Sequence, residues 1–100
     1  MPAVKHIALI KFKAGTTESK IEALMGEIKK LRKLIPGLVD YIGGTYSSPE
    51  GMNQGFTHGF IMTFKDAAAR DAYLPHSEHE RVKALVLPYV ESVVVFDFEV

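Results

Sequence analysis

Three extended segments of this chain carry apolar side chains on both of their faces, and this pattern most constrains the fold. The segments are AVKHIALIKF at residues 3–12, FTHGFIMTF at residues 56–64 and SVVVFDFEV at residues 92–100. Alternate residues of a strand point to opposite faces, so a sheet with one face in water should alternate apolar and polar residues. These segments do not alternate in this way, and both faces of the sheet that they form must therefore be covered.

A helix is predicted between the first strand and the middle of the chain. Apolar residues recur there at helical spacing, and they are Ile21, Leu24, Met25, Ile28, Leu31 and Ile35. Thr16 or Thr17 can cap its start, and Pro36-Gly37 ends it. The segment LVDYIG at residues 38–43 is predicted to be a second strand, followed by a turn-rich loop over residues 44–55.

The second half of the chain predicts two short helices in place of one. Asp66 can cap a helix that runs to about Tyr73, and Pro75 then interrupts it. Ser77 and Glu80 have the spacing of a capping box, so we expect Ser77 to cap a new helix with Val82, Leu85 and Val86 facing inward. The order β-α-β-β-α-β, with the second α divided, predicts a ferredoxin-like α+β fold, an antiparallel sheet with helices on one face.

The predicted helices can cover only one face of the sheet. The other face would leave an apolar patch in water, which soluble monomers rarely show. A homodimer that packs sheet against sheet covers this face most simply, so we expect a homodimer.

Composition narrows the class of protein. The chain has 100 residues, of which 47% are apolar, so we expect one domain over residues 1–100 with its own core. Lys plus Arg number 12 and Asp plus Glu number 12, which argues against nucleic acid or an anionic membrane as a partner. There is no cysteine, so neither a disulfide nor a thiolate nucleophile is available. The apolar run near the N-terminus is too short for a spanning helix, and we expect a soluble cytoplasmic protein.

Titratable aromatic residues gather in AYLPHSEHERV at residues 72–82. His79 falls in the first turn of the predicted helix, where the helix dipole disfavours a positive imidazolium, although Glu78 and Glu80 act in the opposite sense. A neutral imidazole can serve as a general base. A metal site built on His76 and His79 with a third histidine is the weaker alternative, because no carboxylate or cysteine has a supporting spacing, and we predict no metal.

Several motifs together resemble the stress-responsive A/B barrel (Dabb) domain family over essentially the whole chain. They are VKHIALIKFK, KLIPGLVDY, QGFTHGFIMTFKD, AYLPHSEH and VVVFDFEV. The resemblance implies a dimeric α+β barrel with a small-molecule pocket in each protomer. The chain is also similar to plant polyketide cyclases of that family. This implies that His79 is the base and Tyr73 its partner in a cofactor-free aldol cyclisation. The implied pocket wall consists of His6, Ala8, Ile10, Leu24, Met25, Ile28, Tyr41, His58, Phe60 and Val90.

Departures from the cyclase pattern leave the function open at this point. Ile28 and Val90 stand where those cyclases have large aromatic side chains, which alters the pocket and removes a polar group. Many members of the family have no known reaction, so a non-enzymatic stress or accessory protein is one alternative. A cofactor-independent monooxygenase or a haem-handling relative, with His6, His58 or His79 as axial ligand, is another. The resemblance also suggests that the backbone carbonyls of Arg32, Ile35 and Leu38 bind a magnesium ion. The identity of the side chains cannot test a site made of backbone carbonyls.

Overall fold

The computed structural model describes residues 2–100, which form one four-stranded sheet and three α-helices. In chain order the elements are β1 (Val4–Phe12), α1 (Glu18–Leu34), β2 (Leu38–Thr45), β3 (His58–Phe64), α2 (Ala67–Tyr73), α3 (Ser77–Val86), a single 3₁₀ turn (Leu87–Tyr89) and β4 (Val90–Glu99). The strands lie in the order β2-β3-β1-β4, and all neighbouring strands are antiparallel. The predicted ferredoxin-like α+β fold is confirmed.

The inner face of the sheet carries the core. Val4, His6, Ala8 and Ile10 of β1 are buried there, as are alternate residues of β3. These side chains pack against the buried stripe of α1, which consists of Ile21, Leu24, Ile28 and Leu31. The stripe follows the helical spacing of the sequence, so the helix forms because this face is removed from water.

Local signals fix both ends of α1. The Thr17 hydroxyl accepts a hydrogen bond from the Lys20 amide at 3.2 Å and caps the first turn. At the other end the chain turns through Gly37, whose φ of +81° is unfavourable for residues with a side chain. A Cβ at Gly37 would also lie 2.6 Å from the Cβ of Ala69, so glycine allows α2 to approach this turn.

The start of α3 differs from the prediction by one residue. His76, not Ser77, is the N-cap, and its Nδ1 accepts the Glu78 amide at 3.0 Å. Ser77 is already the first helical residue, because the extended backbone that follows Pro75 ends at His76. The inward orientation predicted for Leu85 is also wrong, since this side chain is exposed. Val82 and Val86, four residues apart, form the buried face instead.

The outer face of the sheet is apolar and uncovered in the single chain. Leu9, Ile42, Val94, Phe96 and Phe98 all lie on it in register, and Phe96 is 63% exposed. β4 is an edge strand that the helices do not fully cover, so Val93 and Val95 on the inner face are exposed as well. Among residues 2–100, no helix has the length and hydrophobicity needed to cross a membrane.

Candidate functional site

The turn between α2 and α3 brings Tyr73 and His79 together. Tyr73 is the last residue of α2, and His79 lies in the first turn of α3. The chain reverses between them through Pro75, and the His76 amide donates to the Tyr73 carbonyl at 3.0 Å. The two rings consequently stack, with their centroids 4.1 Å apart and their planes 28° apart.

A backbone hydrogen bond determines which nitrogen of His79 is free. Its Nδ1 lies 2.9 Å from the carbonyl oxygen of Leu74. A carbonyl oxygen can only accept, so Nδ1 carries the proton and Nε2 keeps its lone pair in the neutral ring. Burial lowers the pKa of His79, with the Lys83 charge acting in the same sense, while the Leu74 hydrogen bond and Glu80 oppose them. The ring is therefore suited to act as a neutral general base through Nε2.

Tyr73 supplies a hydroxyl that stays protonated. The residue is 3% exposed, and burial, followed by the negative charge of Asp97, raises its pKa well above the usual value. Among residues 2–100, no protein group forms a hydrogen bond with this hydroxyl. Every side-chain oxygen or nitrogen there that is shielded from solvent does have a hydrogen-bond partner. The hydroxyl must therefore reach open space, where it can donate to a ligand.

That space is a cavity of about 250 Å³ between α3, the inner face of the sheet and β4. The polar side chains along its wall are those of His6, Tyr73, His79 and Lys83, and the remainder of the wall is largely aliphatic. The predicted wall residues His6, Ile10, Ile28, Phe60 and Val90 line it together with Tyr73 and His79. Because β4 is an edge strand, the cavity is open beside the exposed Val93 and Val95.

The structure places the other five predicted wall residues elsewhere. Met25, Tyr41 and His58 line a separate groove between α1 and β2 of about 480 Å³. Tyr41 stacks on Phe60 with centroids 5.6 Å apart, so this aromatic pair separates the groove from the cavity. Ala8 and Leu24 lie in the core at 2% and 4% exposure, where surrounding side chains cover them.

Two charged residues of the site were not predicted from the sequence. His6 Nδ1 lies 2.7 Å from Asp97 Oδ1, and the other oxygen of Asp97 accepts from Arg70 Nη1 at 2.8 Å. The sequence did contain one indication of Asp97. It is the only charged residue within VVVFDF, and it lies on the same inward face of the strand as Val93 and Val95. No sequence signal marks Arg70, since its ion pair with Asp97 depends on where the tertiary fold places α2 relative to β4.

Metal ligands do not converge within residues 2–100, where no group of three His, Asp or Glu side chains is placed to hold an ion. His76 and His79 each use Nδ1 within the fold, the first for the cap of α3 and the second for the Leu74 carbonyl. The carbonyl of Ile35 already accepts the Leu38 amide at 3.2 Å, and the magnesium site suggested at this turn stays a prediction.

Sequence comparison identifies relatives across nearly the entire chain. The profile of the family described as Stress responsive A/B Barrel Domain matches residues 4–100. The stress-response A/B barrel domain-containing protein HS1 of Arabidopsis thaliana is 33% identical over 96% of this chain and 88% of its own length. Olivetolic acid cyclase of Cannabis sativa is 27% identical over 96% of this chain and 95% of its own length.

Solved structures share the same architecture. The Arabidopsis thaliana protein At3g17210 superposes with a TM-score of 0.91 at 34% identity, covering 95% of this chain and 92% of that one. A dimeric ferredoxin-like protein of unknown function from Jannaschia sp. superposes with a TM-score of 0.85 at 25% identity, covering 98% and 99% of the two chains.

Proposed function

The chain belongs to the Stress responsive A/B Barrel Domain family, and from this premise we propose that it is a homodimer in which each protomer binds a small carbonyl-bearing molecule and moves a proton on it. The orientation of His79 is the observation that carries this proposal. Its Nδ1 is tied to Leu74, its ring stacks on Tyr73, and it lines an apolar cavity that the Tyr73 hydroxyl also reaches. A positioned base and a positioned hydroxyl are the groups that enolate chemistry requires.

The proposed step is proton removal from a methylene between two carbonyl groups. The lone pair of His79 Nε2 takes the proton, the electron pair of the C–H bond forms a C=C bond, and the π pair of the adjacent carbonyl moves onto its oxygen to give an enolate. The Tyr73 hydroxyl donates a hydrogen bond to that oxygen. In a longer ligand the enolate carbon attacks a second carbonyl carbon and closes a ring. The π pair of that carbonyl moves onto its oxygen, which takes the proton held by His79, chemistry that suits a relative named olivetolic acid cyclase. The ligand's own carbonyls acidify the methylene, so no cofactor is needed.

The dimensions of the cavity limit the ligand. Sites for drug-sized molecules occupy roughly 300–1,000 Å³, and the cavity of about 250 Å³ lies below this range. Its aliphatic side includes Ile28 and Val90, which offer no polar partner. The proposed ligand therefore has its carbonyl groups at one end, beside Tyr73 and His79, and a short apolar group at the other.

Hydrogen–deuterium exchange on ethyl acetoacetate tests the proposal. This β-ketoester has one acidic methylene, whose ¹H NMR signal fades in deuterated water as its protons are exchanged. We expect the protein to accelerate this loss and His79→Ala to remove the acceleration, by ~10²–10⁴-fold for a positioned base. His76→Ala is the matched control, because His76 lies in the same turn but does not line the cavity.

Three outcomes are informative. Acceleration that depends on His79 but not on His76 supports proton transfer. Saturable binding of the ester without exchange would show a binding protein and reject catalysis. Acceleration that persists undiminished in His79→Ala, with the fold intact by circular dichroism, would mean that His79 is not the base and would reject the proposed site.

A further inference from the structure

Asp97 links two residues that approach it from different parts of the fold. Its two carboxylate oxygens separately bind His6 Nδ1 at 2.7 Å and Arg70 Nη1 at 2.8 Å. His6 and Asp97 lie directly opposite each other in the β1–β4 register, and the side chain of His6 is only 8% exposed. The Asp97 carboxylate accepts one hydrogen bond from Arg70 and one from His6. The nitrogen of His6 that donates, Nδ1, therefore carries a proton.

The second nitrogen of His6 is directed at the cavity. His6 lines the cavity, and its ring meets Tyr73 edge-on with centroids 5.8 Å apart. Nδ1 is bonded to Asp97, and Nε2 has no hydrogen-bond partner among residues 2–100. Because every side-chain nitrogen there that is shielded from solvent has a hydrogen-bond partner, Nε2 must be accessible from the cavity. The cavity therefore contains two imidazoles, His6 and His79, each with Nε2 available to a ligand.

The two imidazoles donate from Nδ1 to partners of different charge. His6 is paired with the Asp97 carboxylate, which Arg70 also binds, whereas His79 is paired with a neutral carbonyl. Positive charge on His6 disfavours a proton on His79, so the two rings are suited to the roles of acid and base.

We propose that His6, seated on Asp97, is the cationic hydrogen-bond donor of the cavity and stabilises the enolate oxygen that forms when His79 removes a proton from the ligand. This inference rests on the proposed function and adds a catalytic residue, His6, and two positioning residues, Asp97 and Arg70. The C–H bond breaks, its electron pair forms the C=C bond of the enolate, and the π pair of the carbonyl group moves onto the oxygen to which His6 Nε2–H and the Tyr73 hydroxyl donate. The proton held by His79 returns to the carbon or exchanges with solvent.

Isosteric substitution of Asp97 tests this assignment in the ethyl acetoacetate exchange assay. Asp97→Asn should lower kcat by about 10-fold or more with little change in KM, because the lost interaction strengthens only as charge develops. His6→Phe should lower kcat by ~10²-fold, the scale for loss of one oxyanion donor. Asp71→Asn is the matched control. Asp71 also binds Arg70, at 2.8 Å, but its side chain is 66% exposed and outside the cavity.

Ring ¹⁵N NMR supplies a readout that a purely structural role would not change. In the unsubstituted protein at neutral pH, both nitrogens of His6 should be protonated, and in Asp97→Asn the Nε2 proton should be lost. A neutral His6 ring in the unsubstituted protein overturns the inference, even if Asp97→Asn does not fold. Exchange that depends on His79 but is unaffected by Asp97→Asn also overturns it and leaves the proposed function standing. Absence of exchange in the unsubstituted protein rejects both.

Discussion

His79 illustrates how the surroundings of one residue set its hydrogen bonding and its pKa. The helix start, the half-buried ring and the Leu74 carbonyl together keep a proton on Nδ1 and a lone pair on Nε2. Burial is the largest effect on its pKa and lowers it, so the neutral ring persists to a lower pH than in an exposed histidine.

The lowered pKa of His79 predicts how stability changes with pH. An unfolded histidine titrates near pH ~6.5, so the unfolded chain binds the proton at His79 more readily than the folded chain does. Stability contributed by the neutral ring is therefore present above that value and is lost as the pH falls through the folded-state pKa. Urea unfolding of the unsubstituted protein and of His79→Gln, between about pH 7.5 and 5, should show the unsubstituted protein losing stability relative to the variant. A difference that stays constant, or changes in favour of the unsubstituted protein, contradicts this.

The sequence identified the residues of the site more readily than their partners. Tyr73 and His79 lie six positions apart in one motif, so local pattern and resemblance singled them out, and both line the cavity. Asp97 and His6 are 91 positions apart, and their contact depends on the β1–β4 register. Met25 and Tyr41 were grouped with the cavity by resemblance, but the Tyr41–Phe60 stack separates them from it.

At the scale of elements, the order of strands and helices followed from periodicity and the ends of α1 from local capping and turn signals, but the ends of β2 and β4 did not. β2 was predicted to end at residue 43, but Gly44 and Thr45 continue the ladder opposite Gly59 and His58. Glycine signals a turn in a sequence, but extended pairing with β3 determines the structure here. β4 begins two residues earlier than predicted, at Val90, because the 3₁₀ turn Leu87–Tyr89 ends there.

The cap of α3 gives a prediction about helix stability. His76→Ala removes the Nδ1 that accepts the Glu78 amide at 3.0 Å, and we expect a loss of about 0.5–1 kcal/mol in the free energy of unfolding. Ser77→Ala is the matched control and should change it by less than about 0.5 kcal/mol, because the Ser77 side chain does not cap the helix. Chemical denaturation of both variants measures the difference. A larger loss in Ser77→Ala would place the cap at Ser77.

The whole molecule has one sheet face that the single chain does not cover. The helices and the core occupy the inner face, and the outer face presents large apolar side chains on β1, β2 and β4. Such a surface is unusual on a soluble monomer, and the structurally similar Jannaschia protein is dimeric. The proposed homodimer packs two outer faces together, which leaves the inner-face cavity of each protomer with its own Tyr73 and His79.

A charge placed on the outer face should therefore separate the dimer. Phe96 lies opposite Ile7 in the β1–β4 register and is 63% exposed, so Phe96→Glu would place a carboxylate in the proposed apolar interface. Burying an unpaired carboxylate costs several kcal/mol, and we expect Phe96→Glu to be monomeric at micromolar concentration in sedimentation velocity. Leu85→Glu is the matched control and should remain dimeric. Leu85 is also exposed, at 42%, but lies on α3, away from the outer face. A dimeric Phe96→Glu protein would place the interface elsewhere, and a monomeric unsubstituted protein would reject the homodimer itself.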